Sequence, residues 1–236
     1  MGYKLTWIYM RPNGAEHKIR PTWWQPWANT KVYYNINDND TNSTIYDLSW
    51  NWVDQTWHGT PWYTTDATYG RVATFNWSSY TEAGSRVNFW NEITFIALVK
   101  HSATWHQAII AECASSSAWN IWLTVNDYLK PMWWFSGNSN WDLNIADNDS
   151  ATVWDWYMVA VTRDINWVAK IYINWILKNT VTLNGTPTYT NGANLQIWRW
   201  RSEWPAYLNW QFKLFIWEDR TRTDQEIADL ASEYGF

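Results

Sequence analysis

The chain has 236 residues, 47% of them hydrophobic, which is enough to bury a core and excludes a disordered polypeptide. Its 17 basic and 22 acidic residues leave a net charge of −5 with no basic block, so no nucleic-acid partner is expected; the one cysteine, Cys113, excludes an intramolecular disulfide framework. No run of 18 apolar residues occurs, so no membrane-inserting helix is expected.

Residues 1–30 carry Pro12, Pro21 and Pro26 among polar residues and read as a leader or linker outside regular structure, without the continuous apolar stretch of an export signal. From Lys31 onward short β-branched and aromatic runs predict strands: Lys31–Tyr34, Arg71–Phe75, Glu92–Lys100, Gln107–Cys113, Trp156–Thr162, Val168–Ile173, Leu195–Trp198 and Phe212–Trp217. Asn, Asp, Thr and Ser clusters separate them. This pattern predicts an all-β fold over residues 31–236, a two-layer antiparallel β-sandwich. Thr223 followed by Glu226 is a capping-box pattern, and with Ile227, Leu230 and Ala231 it predicts one short C-terminal helix.

Composition holds one anomaly. Tryptophan fills 25 positions, about a tenth of the chain, while the 9 glycines are about 4% against a usual ~7%. Six tryptophans directly follow asparagine, at 52, 77, 141, 167, 175 and 210, where chance pairing with the 23 asparagines gives about 2.4. Asn174-Trp175 separates Val168–Ile173 from Ile176-Leu177, the place where Asn-Gly makes a tight hairpin by supplying positive φ angles. Two readings account for this. Either many of these tryptophans stand for glycine, because the gene uses UGA as a glycine codon and the translation reads it as tryptophan, or the protein presents many indoles for stacking on sugars. The placement at strand junctions favours the first, since a stacking platform wants tryptophan on strand faces or loops.

With glycine at those positions, Tyr46–Trp52 (YDLSWNW) becomes the D-x-S-G-N-G phrase of LamG-like jelly-roll domains in the concanavalin A-like lectin/glucanase superfamily. Lys31–Tyr34, Gly70–Tyr80 (GRVATFNWSSY), Val87–Lys100, Trp154–Asp164 (WDWYMVAVTRD), Ile171–Leu177 (IYINWIL), Leu195–Arg199 and Leu208–Ile227 resemble the family's later segments in the same order. The resemblance implies a concanavalin A-like jelly roll. It makes Trp50, Trp52, Trp77, Trp90, Trp154, Trp167, Trp175, Trp198 and Trp210 glycine equivalents and Trp156 a true tryptophan; Trp57, Trp119, Trp122, Trp133, Trp134, Trp200 and Trp217 stay unassigned. Lys213 stands where the family often has an acid, and Arg222 where it has a hydrophobic residue.

Catalysis is not expected. Glycan cleavage by this superfamily needs two carboxylates about 5–9 Å apart, and the phrase E-x-D-x-x-E is missing. The histidines lack zinc spacing, and His101 and His106 are expected as solvated residues flanking a turn. Asp38, Asp40, Asp47, Asn51 and Asp54 crowd into 17 residues, which fits either a structural Ca²⁺, with Asp47 and Asn51 as its ligands, or Asx turns closed by hydrogen bonds to the backbone. The resemblance implies a non-catalytic recognition module binding glycan or a surface protein in adhesion, with Trp133 and Trp134 as the candidate sugar-stacking pair. The alternative is a structural or assembly domain of a cell surface, pilus or phage particle. The sequence leaves the localisation open; either use would imply a place outside the cell, on its surface or on a virion.

Overall fold

The structure is a computed structural model that describes residues 8–10, 16–18, 29–38, 42–49, 51–75, 79–85, 87, 91–101, 107–115, 118–125, 131–135, 144–146, 155–183, 194–197 and 210–236. In chain order the first strands are β1 (Ile8–Met10), β2 (Glu16–Lys18), β3 (Thr30–Asn35), β4 (Thr44–Ile45), β5 (Gln55–His58), β6 (Tyr63–Asp66), β7 (Gly70–Phe75), β8 (Tyr80–Ala83) and β9 (Ile93–His101). They continue as β10 (Gln107–Ser115), β11 (Ala118–Val125), β12 (Pro131–Phe135), β13 (Asn144–Ala146), β14 (Trp156–Arg163), β15 (Val168–Ile173), β16 (Ile176–Thr182), β17 (Leu195–Ile197) and β18 (Trp210–Glu218). The helix α1 (Asp224–Glu233) follows.

The strands form two antiparallel sheets, so the predicted sandwich is the observed one. The first runs β16-β15-β14-β9-β18-β7-β6, with β3 taking the same edge of β18 beyond the end of β7; the second runs β13-β12-β11-β10-β17-β8-β5-β4. β1 and β2 pair with each other as a hairpin, so the N-terminal segment is not devoid of regular structure as its prolines suggested. β12 begins on Pro131, where the missing N–H costs a strand least.

Strand β9 shows how the core is divided. Phe95, Ala97 and Val99 join the cluster between the sheets, whereas Ile96 and Leu98 lie under α1. The run is buried on both faces, which is why it reads as continuously apolar. β18 reaches the same arrangement through a bulge: Phe212 opposes Val99, Leu214 opposes Leu98, and Lys213 is the inserted residue. The bulge shifts the alternation by one, so Phe212, Phe215 and Trp217 face the inter-sheet core while Leu214 and Ile216 face the helix. Buried Lys213 donates from Nζ to the Arg71 carbonyl at 3.2 Å.

The helix sits where the capping pattern places it. Thr223 Oγ1 accepts from the Glu226 N–H at 3.2 Å, Glu226 accepts from the Thr223 N–H at 2.8 Å, and Ile227, Leu230 and Ala231 pack on the outer face of the first sheet. Burying such aliphatic side chains contributes roughly 1.5–3 kcal/mol each, which fastens the helix to the sheet. In the chain before it, Glu218 is fully buried and takes a bidentate contact from Arg222, at 2.8 and 2.9 Å. Arg222, at a position where the resemblance implies a hydrophobic residue, is thus held inside by charge.

Candidate functional site

Asp47 sits in the loop after β4 and is fully buried. One carboxylate oxygen accepts from the N–H groups of Tyr33 and Ser49, both at 2.9 Å, and the other from Ser49 Oγ at 2.6 Å and the Val53 N–H at 2.9 Å. Asn51 donates from Nδ2 to the Thr30 carbonyl at 2.9 Å and to Ser49 Oγ at 3.3 Å. The D-x-S-x-N phrase therefore ties its own loop to β3. Burial pushes the Asp47 pKa above the ordinary carboxylate value, opposed by those four hydrogen bonds. A calcium ion wants bare oxygen ligands, and here both carboxylate oxygens point at N–H and O–H donors, so the residues do not fit the ion. The Ser49 N–H bond makes Asp47 an Asx turn, while Asp54 accepts from the Asp47 N–H at 2.8 Å across the loop; outside this cluster Asp66 and Asp164 each accept two backbone N–H bonds. Among the described residues no three His, Cys, Asp or Glu gather as a metal site.

Trp133 and Trp134 lie on β12, paired with Leu123 and Ile145 and with Trp122 and Asn144 respectively; their side chains lie outside the described residues. β12 and β4 are six strand steps apart in the second sheet, roughly 30 Å, so the two predicted sites are not brought together.

The tryptophans at turns divide into two groups. Among the described residues the non-glycine positions with positive φ are Trp52 (58°), Trp167 (65°), Asn174 (48°) and Trp175 (64°). Asn174 and Trp175, both left-handed, form the two-residue turn joining β15 to β16, the geometry of an Asn-Gly hairpin. A side chain at the tip of a tight turn projects with few contacts. Trp175 is 41% exposed, but Trp52 and Trp167 are half-buried, and Trp167 packs against the core with the Arg163 guanidinium 4.4 Å above its ring. Trp210 departs altogether: it is a buried strand residue of β18 with no positive φ, so its position makes no demand for glycine. Trp156 lies on a strand as expected, packed against the layer under α1, and donates from Nε1 to Asp66 at 2.9 Å. Trp57 stacks on Phe75 at 4.5 Å and Trp217 packs on Phe95 at 4.7 Å, both inside the core. Trp50, Trp77, Trp90, Trp154 and Trp198 lie outside the described residues.

His101 corrects a second expectation. It is the last residue of β9, fully buried between Trp210 (4.9 Å, stacked) and Tyr157 (5.4 Å, edge-on), and not a solvated turn residue. Burial lowers its pKa to about 4. In the unfolded chain it protonates near 6.5, so the unfolded state binds the extra proton and stability falls as pH drops from about 6.5 to about 4. We expect His101→Phe to flatten that part of a urea-midpoint profile. Asp66, Asp224 and Glu226, whose pKa values are lowered, lose their contributions only at more acidic pH.

The second sheet has no helix over its described outer face, and a cluster that sequence reasoning missed lies there. The His58 and Tyr80 rings are stacked, with centroids 4.4 Å apart and planes 6° from parallel. Glu82 sits 3.6 Å from His58 Nε2 and accepts from Asn194 Nδ2 at 3.2 Å. The signal was present in the strict alternation of burial along Gln55–His58 and Tyr80–Ala83, but both runs are too polar to read as strands.

No protein-family profile matches the sequence, and no curated protein matches it. Solved structures do. The chain is similar to the binding domain of Paraclostridial Mosquitocidal Protein 1 (TM-score 0.70, 11% identity, 87% of this chain and 52% of that one). It is also similar to the binding domain of botulinum neurotoxin DC solved with rat synaptotagmin II (TM-score 0.69, 12%, 88% and 52%). A third is domain 4 of AbnA, a GH43 extracellular arabinanase from Geobacillus stearothermophilus, in complex with arabinotriose (TM-score 0.65, 19%, 86% and 98%). The likeness is one of fold. The chain spans about half the length of the two toxin domains, whereas it accounts for nearly all of the arabinanase domain.

Proposed function

We propose that this chain is a non-catalytic recognition domain that binds glycan, in the manner of a LamG-like jelly roll serving adhesion. The observation that carries the reading is the division of labour between the sheets: the first buries its outer face under α1, while the second turns aromatic and polar side chains outward at β5 and β8. Support comes from the similar folds, which are binding domains, one solved with arabinotriose, one with a synaptotagmin, and one from a toxin whose cell entry depends on two gangliosides. Among the described residues Asp47 and Asp54 are turned to backbone donors, and Glu218 and Glu226 are held by Arg220, which supports the non-catalytic reading. The expected result is binding to an immobilised glycan panel with no release of reducing sugar on long incubation. Hydrolysis of any of those glycans would contradict the reading, as would absence of binding.

The same reading takes Trp52, Trp167 and Trp175 as glycine in the native protein, through a UGA codon read as tryptophan. Their support is the left-handed backbone, which a bulky residue adopts only under strain of roughly 1–2 kcal/mol and glycine adopts freely. Trp57, Trp156, Trp210 and Trp217 are taken as true tryptophans, since each indole fills packed space on a strand.

A further inference from the structure

Resting on that glycan-binding reading, we infer that the sugar site is the His58–Tyr80–Glu82 cluster and that its ligand is a neutral oligosaccharide. The three side chains come from paired strands: His58 opposes Tyr80, and Thr56 opposes Glu82, all on the face turned away from the core, with the His58 side chain 45% exposed. The His58 and Tyr80 rings stack face to face, which stiffens the pair and leaves the exposed part of the His58 ring to meet the C–H face of a sugar ring at small entropic cost. Beside it the Glu82 carboxylate, oriented by the Asn194 amide, accepts hydrogen bonds from adjacent sugar hydroxyls. Glu82 also opposes Gln196, which opposes Ala111, and the register row continues through Trp122 and Trp134 to Asn144. Gln196 in that row is buried, so the sugar is expected to stay at the end of the sheet formed by β5 and β8.

Charge sets the ligand class. The eight strands of the second sheet contain no lysine or arginine, and their only ionised side chains besides histidine are Glu82 and Glu112. The strands of the first sheet hold Lys31, Arg71, Lys100, Arg163, Lys170, Lys178 and Lys213. Among the described strands of this sheet an acidic sugar such as a sialic acid would meet Glu82 with no lysine or arginine to offset it, which favours neutral sugars.

The test measures calorimetric binding of arabinotriose, cellotriose, mannotriose and 3′-sialyllactose to the unsubstituted chain and to Tyr80→Ala, His58→Ala, Glu82→Gln and, as a control on the far sheet, Thr180→Ala. We expect at least one neutral trisaccharide to bind and sialyllactose not to. Tyr80→Ala and Glu82→Gln should each weaken binding tenfold or more with an unchanged circular dichroism spectrum, and Thr180→Ala should leave it intact. If Tyr80→Ala fails to fold, His58→Ala and Glu82→Gln decide. Failure of every sugar to bind would overturn the glycan reading itself. Binding that survives all three substitutions would leave that reading standing and overturn this site, and preferential binding of sialyllactose would overturn the assignment to neutral sugars.

Discussion

Replacing Trp52, Trp167 and Trp175 together by glycine is expected to stabilise the protein by roughly 2–3 kcal/mol, an unusual outcome for the removal of three indoles. Each position has a φ near +60°, where a side chain's Cβ collides with the backbone and costs about 1–2 kcal/mol; the greater freedom of glycine in the unfolded chain returns part of the gain. The gain is not equal at the three sites. At Trp175, 41% exposed at a hairpin tip, little packing is lost, whereas at Trp167 the contact with Arg163 offsets about 0.5–1 kcal/mol. Urea unfolding of the triple variant should show a higher midpoint at an unchanged slope. Trp175→Ala provides the control, because alanine removes the indole but keeps the Cβ and should gain almost nothing. The opposite sign is expected at Trp210 and Trp217, where glycine would leave a core cavity.

The second large effect is at the buried pair that precedes the helix. Arg222→Ala is expected to cost about 3–5 kcal/mol, because it leaves Glu218, fully buried, without its bidentate partner. Arg220, whose Nε lies 3.2 Å from the same carboxylate, keeps the loss toward the lower end. The Arg222 N–H also bonds to Thr94 Oγ1 at 2.9 Å, which any side chain at 222 preserves, so the loss reports the guanidinium and not the backbone. The double variant Glu218→Leu with Arg222→Met removes both charges and should recover most of the stability, since the desolvation cost of the pair vanishes with its attraction. Thermal denaturation of the two variants side by side checks this; a double variant as unstable as Arg222→Ala would show that packing, not charge, holds the segment.

How far these features were legible in the sequence follows from the physics of each. Strands buried on both faces, such as Ile93–His101, announce themselves by continuous apolar character, and the capping box of α1 by its Thr–Glu spacing. Gln55–His58 and Tyr80–Ala83 did not, because their outward residues are polar and their inward ones include Gln55 and Thr81, so the period of two carries no hydrophobic contrast. That is also why the cluster proposed to bind sugar was missed: it stands on the two strands that the pattern cannot show. The acid-rich stretch around Asp47 was visible, but composition cannot tell a carboxylate facing an ion from one facing backbone N–H groups. The Asn-Trp hairpin at 174–175 was readable in full, because turn chemistry is local. Trp210 was not, since the same dipeptide there precedes a buried strand and only tertiary packing sets the difference.

The most direct measurement is the amino-acid identity at these positions in the protein isolated from its own source, read by fragmenting its peptides in a mass spectrometer. The account predicts glycine at 52, 167 and 175, the left-handed positions, and tryptophan at 57, 156, 210 and 217, where indoles fill packed strand positions. Tryptophan at all of 52, 167 and 175 would contradict it and would return the leading place to a protein that is tryptophan-rich by nature.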